Sequence, residues 1–390
     1  MKPQELVKNI FDVGIIDWNM HDFHGFSTPR GVTYNSYLIM DEKVCLVDGV
    51  KAMYAEEQLA NIKKVVDPAK IDAIIINHVE PDHSGSMPAL AKACPNATFY
   101  ISMQGKNESI EHYGDIFKFQ VVKAGDTVKL GQRSLTFVPI PMLHWPDSMV
   151  TYCPEEQILF SSDSFGQHFC SSKRFDDEVD INVMLYEAQR YFANILFPYA
   201  KLIGPALKTV KSLPIKMLAT CHGCIWRSHI QDILAKYTEW GQGKQDDKIV
   251  VVYDSMWGGT TAMARAIVKG ISATGTDVKL YRYTSEMKAV IIGEILTAKA
   301  VLIGSPTQNY GMMPTIGAFM TYLKGLKPVG KKAAAFGTYG WCGGAQKDIE
   351  EFITKAGMEL VPGYNCKWRP SPKEIEAAEQ FGFDFATKLK

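Results

Sequence analysis

One short segment constrains this chain more than any other: Ile71-Asp72-Ala73-Ile74-Ile75-Ile76-Asn77-His78-Val79-Glu80-Pro81-Asp82-His83-Ser84-Gly85-Ser86. An isoleucine-rich run of strand length reaches Asn77, and β-branched residues favour extended backbone. Four metal-competent side chains, His78, Glu80, Asp82 and His83, follow within six residues. Pro81 disfavours helix at Glu80. Donors crowded into one loop repel one another or lose solvation, and metal cations resolve both problems. An ordinary polar loop after a strand is the competing reading, and the segment by itself leaves the two open.

Repetition shifts the balance. His144 follows the apolar run 134–140, Asp163 follows 157–160, and His222 follows 217–220. Each donor stands at the C-terminal end of a separate run. Such ends converge on one rim of a sheet sandwich, where sites commonly lie. Further strand-like runs at 36–40, 44–47, 71–76 and 98–101 interleave with helical patterns at 54–64 and 87–93. The mixture predicts an α/β sandwich of two sheets with outer helices.

With 390 residues the chain exceeds the usual size of one hydrophobic core. The short polar, glycine-containing stretch 241–247 reads as a linker. It divides the chain into domains 1–246 and 247–390. Beyond it, runs at 248–253, 278–283, 300–304, 332–336 and 358–362 alternate with helical patterns at 260–272, 286–299, 314–323, 345–356 and 372–388. That alternation predicts a doubly wound parallel sheet.

Three loops follow strands of this second sheet. Asp254-Ser255-Met256-Trp257-Gly258-Gly259-Thr260-Thr261 joins a strand to a helix start, where N–H groups, Ser255 and Thr260 suit a phosphate. The loop has no lysine, so it is not a P-loop, and alone it reads more simply as a helix cap. Ser305-Pro306-Thr307-Gln308-Asn309-Tyr310-Gly311 and Gly337-Thr338-Tyr339-Gly340-Trp341-Cys342-Gly343-Gly344 share the same sheet edge. They combine small residues, which admit a ring to the backbone, with aromatics that can stack on it.

The order His-x-Glu-x-Asp-His, then His144, Asp163 and His222, resembles the flavo-diiron protein family within the metallo-β-lactamase superfamily. Leu143-His144-Trp145-Pro146-Asp147-Ser148 and Phe165-Gly166-Gln167-His168 carry the resemblance further, and it runs through both halves. It implies a metallo-β-lactamase-like αββα sandwich followed by a flavodoxin-like domain with FMN in the three loops. The first iron would take His78, Glu80 and His144; the second would take Asp82, His83 and His222; Asp163 would bridge them. His24, His168 and Tyr191 are the implied pocket residues, with Phe192 beside Tyr191 leaving that register open. Hydrolytic zinc members usually carry histidine at the place of Glu80, and an oxygen donor favours iron or manganese. Three carboxylates and a bridging hydroxide would neutralise two ferrous ions.

The implied activity is reduction of dioxygen to water, nitric oxide to nitrous oxide, or both, with electrons entering at FMN. A zinc-dependent hydrolase of the same fold is the alternative, and a non-catalytic electron carrier is a third class. The implied partners are a separate rubredoxin, or a reduced deazaflavin, and a second copy of the chain in a head-to-tail homodimer or dimer of dimers. Cys221 and Cys224 form a Cys-x-x-Cys spacing without a second pair, so both read as incidental to His222, and no fused rubredoxin unit is indicated. Lys+Arg and Asp+Glu both number 42, so no dominant basic field points to nucleic acid or an anionic membrane. The start lacks a signal-like apolar core, and eight scattered cysteines fit a reducing cytoplasm.

Overall fold

Strand Ile71–Ile76 is buried on both faces, and its side-chain period of two explains why. In the computed structural model, which describes residues 3–389, Ala73 and Ile75 join one hydrophobic cluster and Ile74 and Ile76 the other. The first cluster fills the space between two sheets. The second packs under Ala55–Lys63 and Met87–Ala93.

Ile71–Ile76 sits inside a seven-stranded sheet, between Val44–Val47 and Thr98–Ile101, parallel to both. The facing sheet runs Thr127–Lys129, Ser134–Pro139, Met149–Cys153, Ile158–Ser162, Met217–Thr220. Ile158–Ser162 and Met217–Thr220 are parallel, and Met149–Cys153 runs against both of its neighbours. Three of its five strands therefore end on the same rim. The two sheets are tied where the metal-competent loop begins. Asn77 donates from N and Nδ2 to the Asp48 carboxylate at 2.8 and 2.9 Å, and its Oδ1 accepts from Thr151 Oγ1 at 2.7 Å.

The described residues fall into two compact units, 3–191 with Lys201–Thr238, and Phe192–Ala200 with 239–389. The polar stretch is shorter than the sequence indicated. Gly241 closes helix Ile230–Gly241, and Asp246 already opens strand Asp246–Tyr253.

The second unit orders its parallel strands Asp277–Arg282, Asp246–Tyr253, Ala298–Gly304, Lys332–Tyr339, then Glu359–Leu360 and Tyr364–Lys367. This is the flavodoxin-like strand order. Helices Gly259–Ala273 and Pro372–Thr387 cross closely on one face. A Cβ on Gly270 would lie 1.9 Å from Glu379 O, so only glycine permits that approach. No helix among the described residues is long and apolar enough to cross a membrane.

Candidate metal centre and flavin cleft

The rim collects the expected donors into two groups. His78, Glu80, His144 and Asp163 form one; His83, Asp163, Cys221 and His222 form the other. Asp163 belongs to both. Its Oδ2 faces His144 Nε2 at 3.4 Å and His78 Nε2 at 3.6 Å, while its Oδ1 faces His83 Nε2 at 3.2 Å and His222 Nε2 at 3.7 Å. Glu80 Oε2 closes the first group, 3.1 Å from His144 Nε2 and 3.3 Å from His78 Nε2. Asp82 Oδ2 adjoins the second, 3.1 Å from His222 Nε2 and 3.5 Å from His83 Nε2.

A second layer aims these rings. His78 Nδ1 donates to Asp147 at 2.9 Å, and Val79 N donates to the same carboxylate at 2.7 Å. His222 Nδ1 donates to Thr33 O at 2.5 Å, and Gly223 N donates to Thr33 Oγ1 at 2.6 Å. Each contact fixes the proton on Nδ1 and leaves the Nε2 lone pair facing the centre. Asn35 braces the loop from behind, donating from Nδ2 to Thr220 O at 2.8 Å and Gly223 O at 3.0 Å. Its own Oδ1 accepts from Arg174 at 2.8 Å, which is ion-paired to Asp12 in the interior.

The electrostatics call for positive charge at the centre. Burial alone would raise the Glu80 carboxyl, yet His144, His24 and His78 hold it well below the usual carboxylate range. Asp163 behaves likewise, with burial opposed by His83 and His144. Burial lowers His83 and His144, but neighbouring carboxylates outweigh it and push each up to about 9. Cations would displace these protons. Two buried oxygens, Asp82 Oδ1 and Asp163 Oδ2, have no hydrogen-bond partner. Two divalent cations fit this donor set.

The three pocket residues gather here as well. Tyr191 Oη donates to Asp163 Oδ1 at 2.6 Å, and His24 Nδ1 lies 3.3 Å from Glu80 Oε1. His168 packs its ring against Tyr191, and its buried Nε2 is unpartnered. Phe192 turns instead onto Trp240. Asp147, Thr33, Asn35 and Cys221 are the parts that sequence reasoning missed. Asp147 lies within a quoted motif and had a signal; Thr33 and Asn35 had none. Cys221 is not incidental, since Sγ lies 3.3 Å from Asp163 Oδ1. Cys224 Sγ points to Lys173 O at 3.6 Å.

In the second unit a cleft of about 740 Å³ opens among the three glycine-rich loops, a size suited to a cofactor. Ser255–Gly259, Pro306, Thr307 and Thr338–Trp341 line it. Gly258, at φ 82°, caps helix Gly259–Ala273, whose first N–H groups meet the cleft. Thr260 Oγ1 lies behind the loop, 3.2 Å from Thr338 Oγ1. Ser305, Asn309, Tyr310, Gly311, Gly337, Gly343 and Gly344 lie outside the lining. Several of these shape it instead: a Cβ on Gly337 or Gly344 would lie within 1.9 Å of a backbone oxygen. Trp368, Arg369, Pro370, Ala262 and Ile375 complete the wall and were not foreseen. Trp257 and Trp341 are 94 and 87 % exposed, so neither is a core residue.

A sandwich carrying two donor groups that share one carboxylate, joined in one chain to a flavodoxin-like unit with an open cleft, defines a two-cofactor redox protein. The ODP family beta lactamase description matches residues 32–223, and the flavodoxin description matches residues 251–382. A nitric oxide reductase of Moorella thermoacetica is 43 % identical over 100 % of this chain and 99 % of its own. The flavodiiron protein from Giardia intestinalis superposes with TM-score 0.97 at 35 % identity, covering 100 % of this chain and 97 % of that one. Rubredoxin oxygen:oxidoreductase from Desulfovibrio gigas superposes with TM-score 0.96 at 38 % identity, covering 100 and 98 %. This chain belongs to the flavodiiron protein family. It is an oxidoreductase whose cofactors are FMN and a pair of irons.

Proposed function

We propose that this protein reduces nitric oxide to nitrous oxide, dioxygen to water, or both. The observation that carries the reading is Asp163, whose two oxygens serve two donor groups, one completed by Glu80 rather than an imidazole. His78, Glu80 and His144 would hold one iron, Asp82, His83 and His222 the other. When bound, the flavin would supply electrons and the iron pair a place for the diatomic substrate to be reduced.

Two nitric oxides take two electrons and two protons to give nitrous oxide and one water; one dioxygen takes four of each to give two waters. Protons must therefore reach a buried rim. Tyr191 keeps one on Oη, directed at Asp163 Oδ1. His168 is held neutral by burial and by His222 and Arg190, and its ring packs against Tyr191. His24 is partly exposed beside Glu80 and links the cluster to solvent. In the cleft, helix N–H groups and Arg369 would hold the FMN phosphate, and Trp341 and Trp257 would be available to stack on the ring.

A separate rubredoxin-like or deazaflavin donor would reduce the FMN. Only residues 242–245 lie between the closing helix and the opening strand, and four residues span at most ~14 Å. That short tether motivates a head-to-tail homodimer in which each flavin serves its partner's irons. Eight unbridged cysteines support a reducing, cytoplasmic setting. The test is anaerobic purification, iron and FMN analysis, then consumption of nitric oxide and of dioxygen with reduced rubredoxin. Two irons and one FMN per chain with turnover of either gas is the expected result; stoichiometric zinc despite ample iron, with no turnover, would refute it.

A further inference from the structure

The second donor group contains a sulfur that the reading above does not use. Cys221 is 2 % exposed, and its Sγ lies 3.3 Å from Asp163 Oδ1 and 3.9 Å from His83 Nε2. Two further edges are His83 Nε2 to Asp163 Oδ1 at 3.2 Å and His222 Nε2 to Asp163 Oδ1 at 3.7 Å. Nitrogen, oxygen and sulfur donors placed tetrahedrally at roughly 2.0–2.3 Å from one cation stand about 3.3–3.6 Å apart. These four edges, 3.2 to 3.9 Å, lie near that spacing, with Asp82 Oδ2 beside them. All four lie within 4.8 Å of one another.

A second observation asks for a cation at the same place. Asp82 Oδ1 is unpartnered in a side chain only 2 % exposed, and Asp82 Oδ2 borders the same two imidazoles. Two histidines, a carboxylate and a thiolate form a set that zinc-class ions favour, whereas the Glu80 group has no sulfur. The cluster is thus asymmetric in softness.

We propose that Cys221 Sγ is a further donor to the second cation position, making that position, and not the Glu80 position, the one where a thiophilic divalent cation competes with iron. This rests on the two-cation reading above. Coordination replaces the S–H bond by a metal–sulfur bond, and the proton leaves to solvent. Cys224, whose thiol faces a carbonyl outside the cluster, takes no part.

Cadmium is a suitable probe, because its NMR shift moves strongly downfield with a thiolate ligand and the flavin does not interfere. The full chain with FMN bound is stripped of iron, loaded with cadmium and examined beside Cys221→Ser. Two resonances are expected, one downfield. In Cys221→Ser the downfield line should move upfield while the other stays. Two bound cadmium ions that both resonate in the nitrogen–oxygen range would overturn the proposal and leave the two-cation reading intact. Failure to bind cadmium at all would overturn both. If Cys221→Ser loses its fold, seen as loss of FMN and of circular dichroism, the wild-type spectrum decides, since Cys221 is the cysteine in the cluster among the described residues.

Discussion

The two sites of this protein are built on opposite plans. The metal centre is made of side chains that are mostly buried, two of its histidines aimed by a second polar group: Asp147 behind His78, Thr33 behind His222, with Asn35 behind the loop itself. The flavin cleft is made of backbone, glycine and aromatic rings that lie open. Charge explains the difference. A cation cluster must be assembled in low dielectric with every lone pair already directed, because reorganisation there is costly. A flat, amphipathic ring needs only a slot, a phosphate seat and something to stack on. The first site is rigid before its ligand arrives; the second is completed by it.

The sharpest way to break this contrast is to remove the residue both donor groups share. Asp163→Asn should lower bound iron below two per chain and turnover by more than ~100-fold, exceeding what outer-layer changes cost. FMN content should stay stoichiometric, read from the flavin absorbance. Loss of FMN together with iron would show that the two sites are not separately built. A smaller effect is expected from Asp147→Asn. It leaves every donor in place and loosens only His78, so iron affinity should fall by ~10–100-fold and activity should return with added iron. Unchanged affinity would mean that the second layer is scaffolding without influence on the metal.

The interiors can be compared as well as the sites. Charges around the metal centre have opposite charges beside them; Lys331 in the second unit does not. Its Nζ is buried and donates to Leu296 O and Ala298 O at 2.9 and 2.6 Å, at the end of helix Lys288–Thr297. Burial, and then Lys248, lower its ammonium to about 7, with Asp246 opposing weakly. A base with a folded value below its unfolded one is protonated in the unfolded chain first. Between pH 7 and the ordinary lysine value the unfolded state binds more protons, so stability rises with pH across that window and is flat below it. The slope is at most ~1.4 kcal/mol per pH unit. Lys331→Met should remove that slope, measured as denaturant midpoints of the full chain at pH 6.5, 8 and 9.5. Equal slopes in both proteins would show that Lys331 stays charged when folded.

How much of this was legible in the sequence follows from the same physics. The runs 44–47, 71–76 and 217–220 coincide with strands because burial on two faces leaves nearly continuous apolar stretches, and 98–101 because its aromatic and β-branched residues favour extended backbone. Met149–Cys153 begins directly after the histidine motif, which ends at Ser148, and is not among the runs read there; the N-terminal hairpins, two to four residues per strand, are too short to show a period. Metal donors could be read because they sit at strand ends in tight clusters. Asn35 could not, because its partners Thr220 and Gly223 are 185 and 188 positions away and are backbone carbonyls, which any residue would supply. Trp368 and Arg369 escaped for a related reason: they follow the last strand of the sheet, Tyr364–Lys367, which carries no glycine-rich loop.

The smallest effect, and the most direct probe of the open plan, lies at Trp341. Its ring meets Trp368 edge to face with centroids 5.4 Å apart and is otherwise solvated. Trp341→Ala therefore leaves no core cavity and should not change thermal stability of the flavin-free protein. Aromatic contacts are worth about 0.5–1.5 kcal/mol beyond area, so FMN should bind roughly threefold to tenfold more weakly, with iron content unchanged. Gly340→Ala perturbs the same wall from within, since its Cβ would lie 2.8 Å from the Trp368 ring and force that ring to shift. Both changes can be read by titrating flavin-free protein with FMN and following flavin fluorescence. If Trp341→Ala binds FMN as tightly as the parent while Gly340→Ala does not, the wall is formed by Trp368 and the backbone alone. Trp341 would then be free to serve the approach of an electron donor.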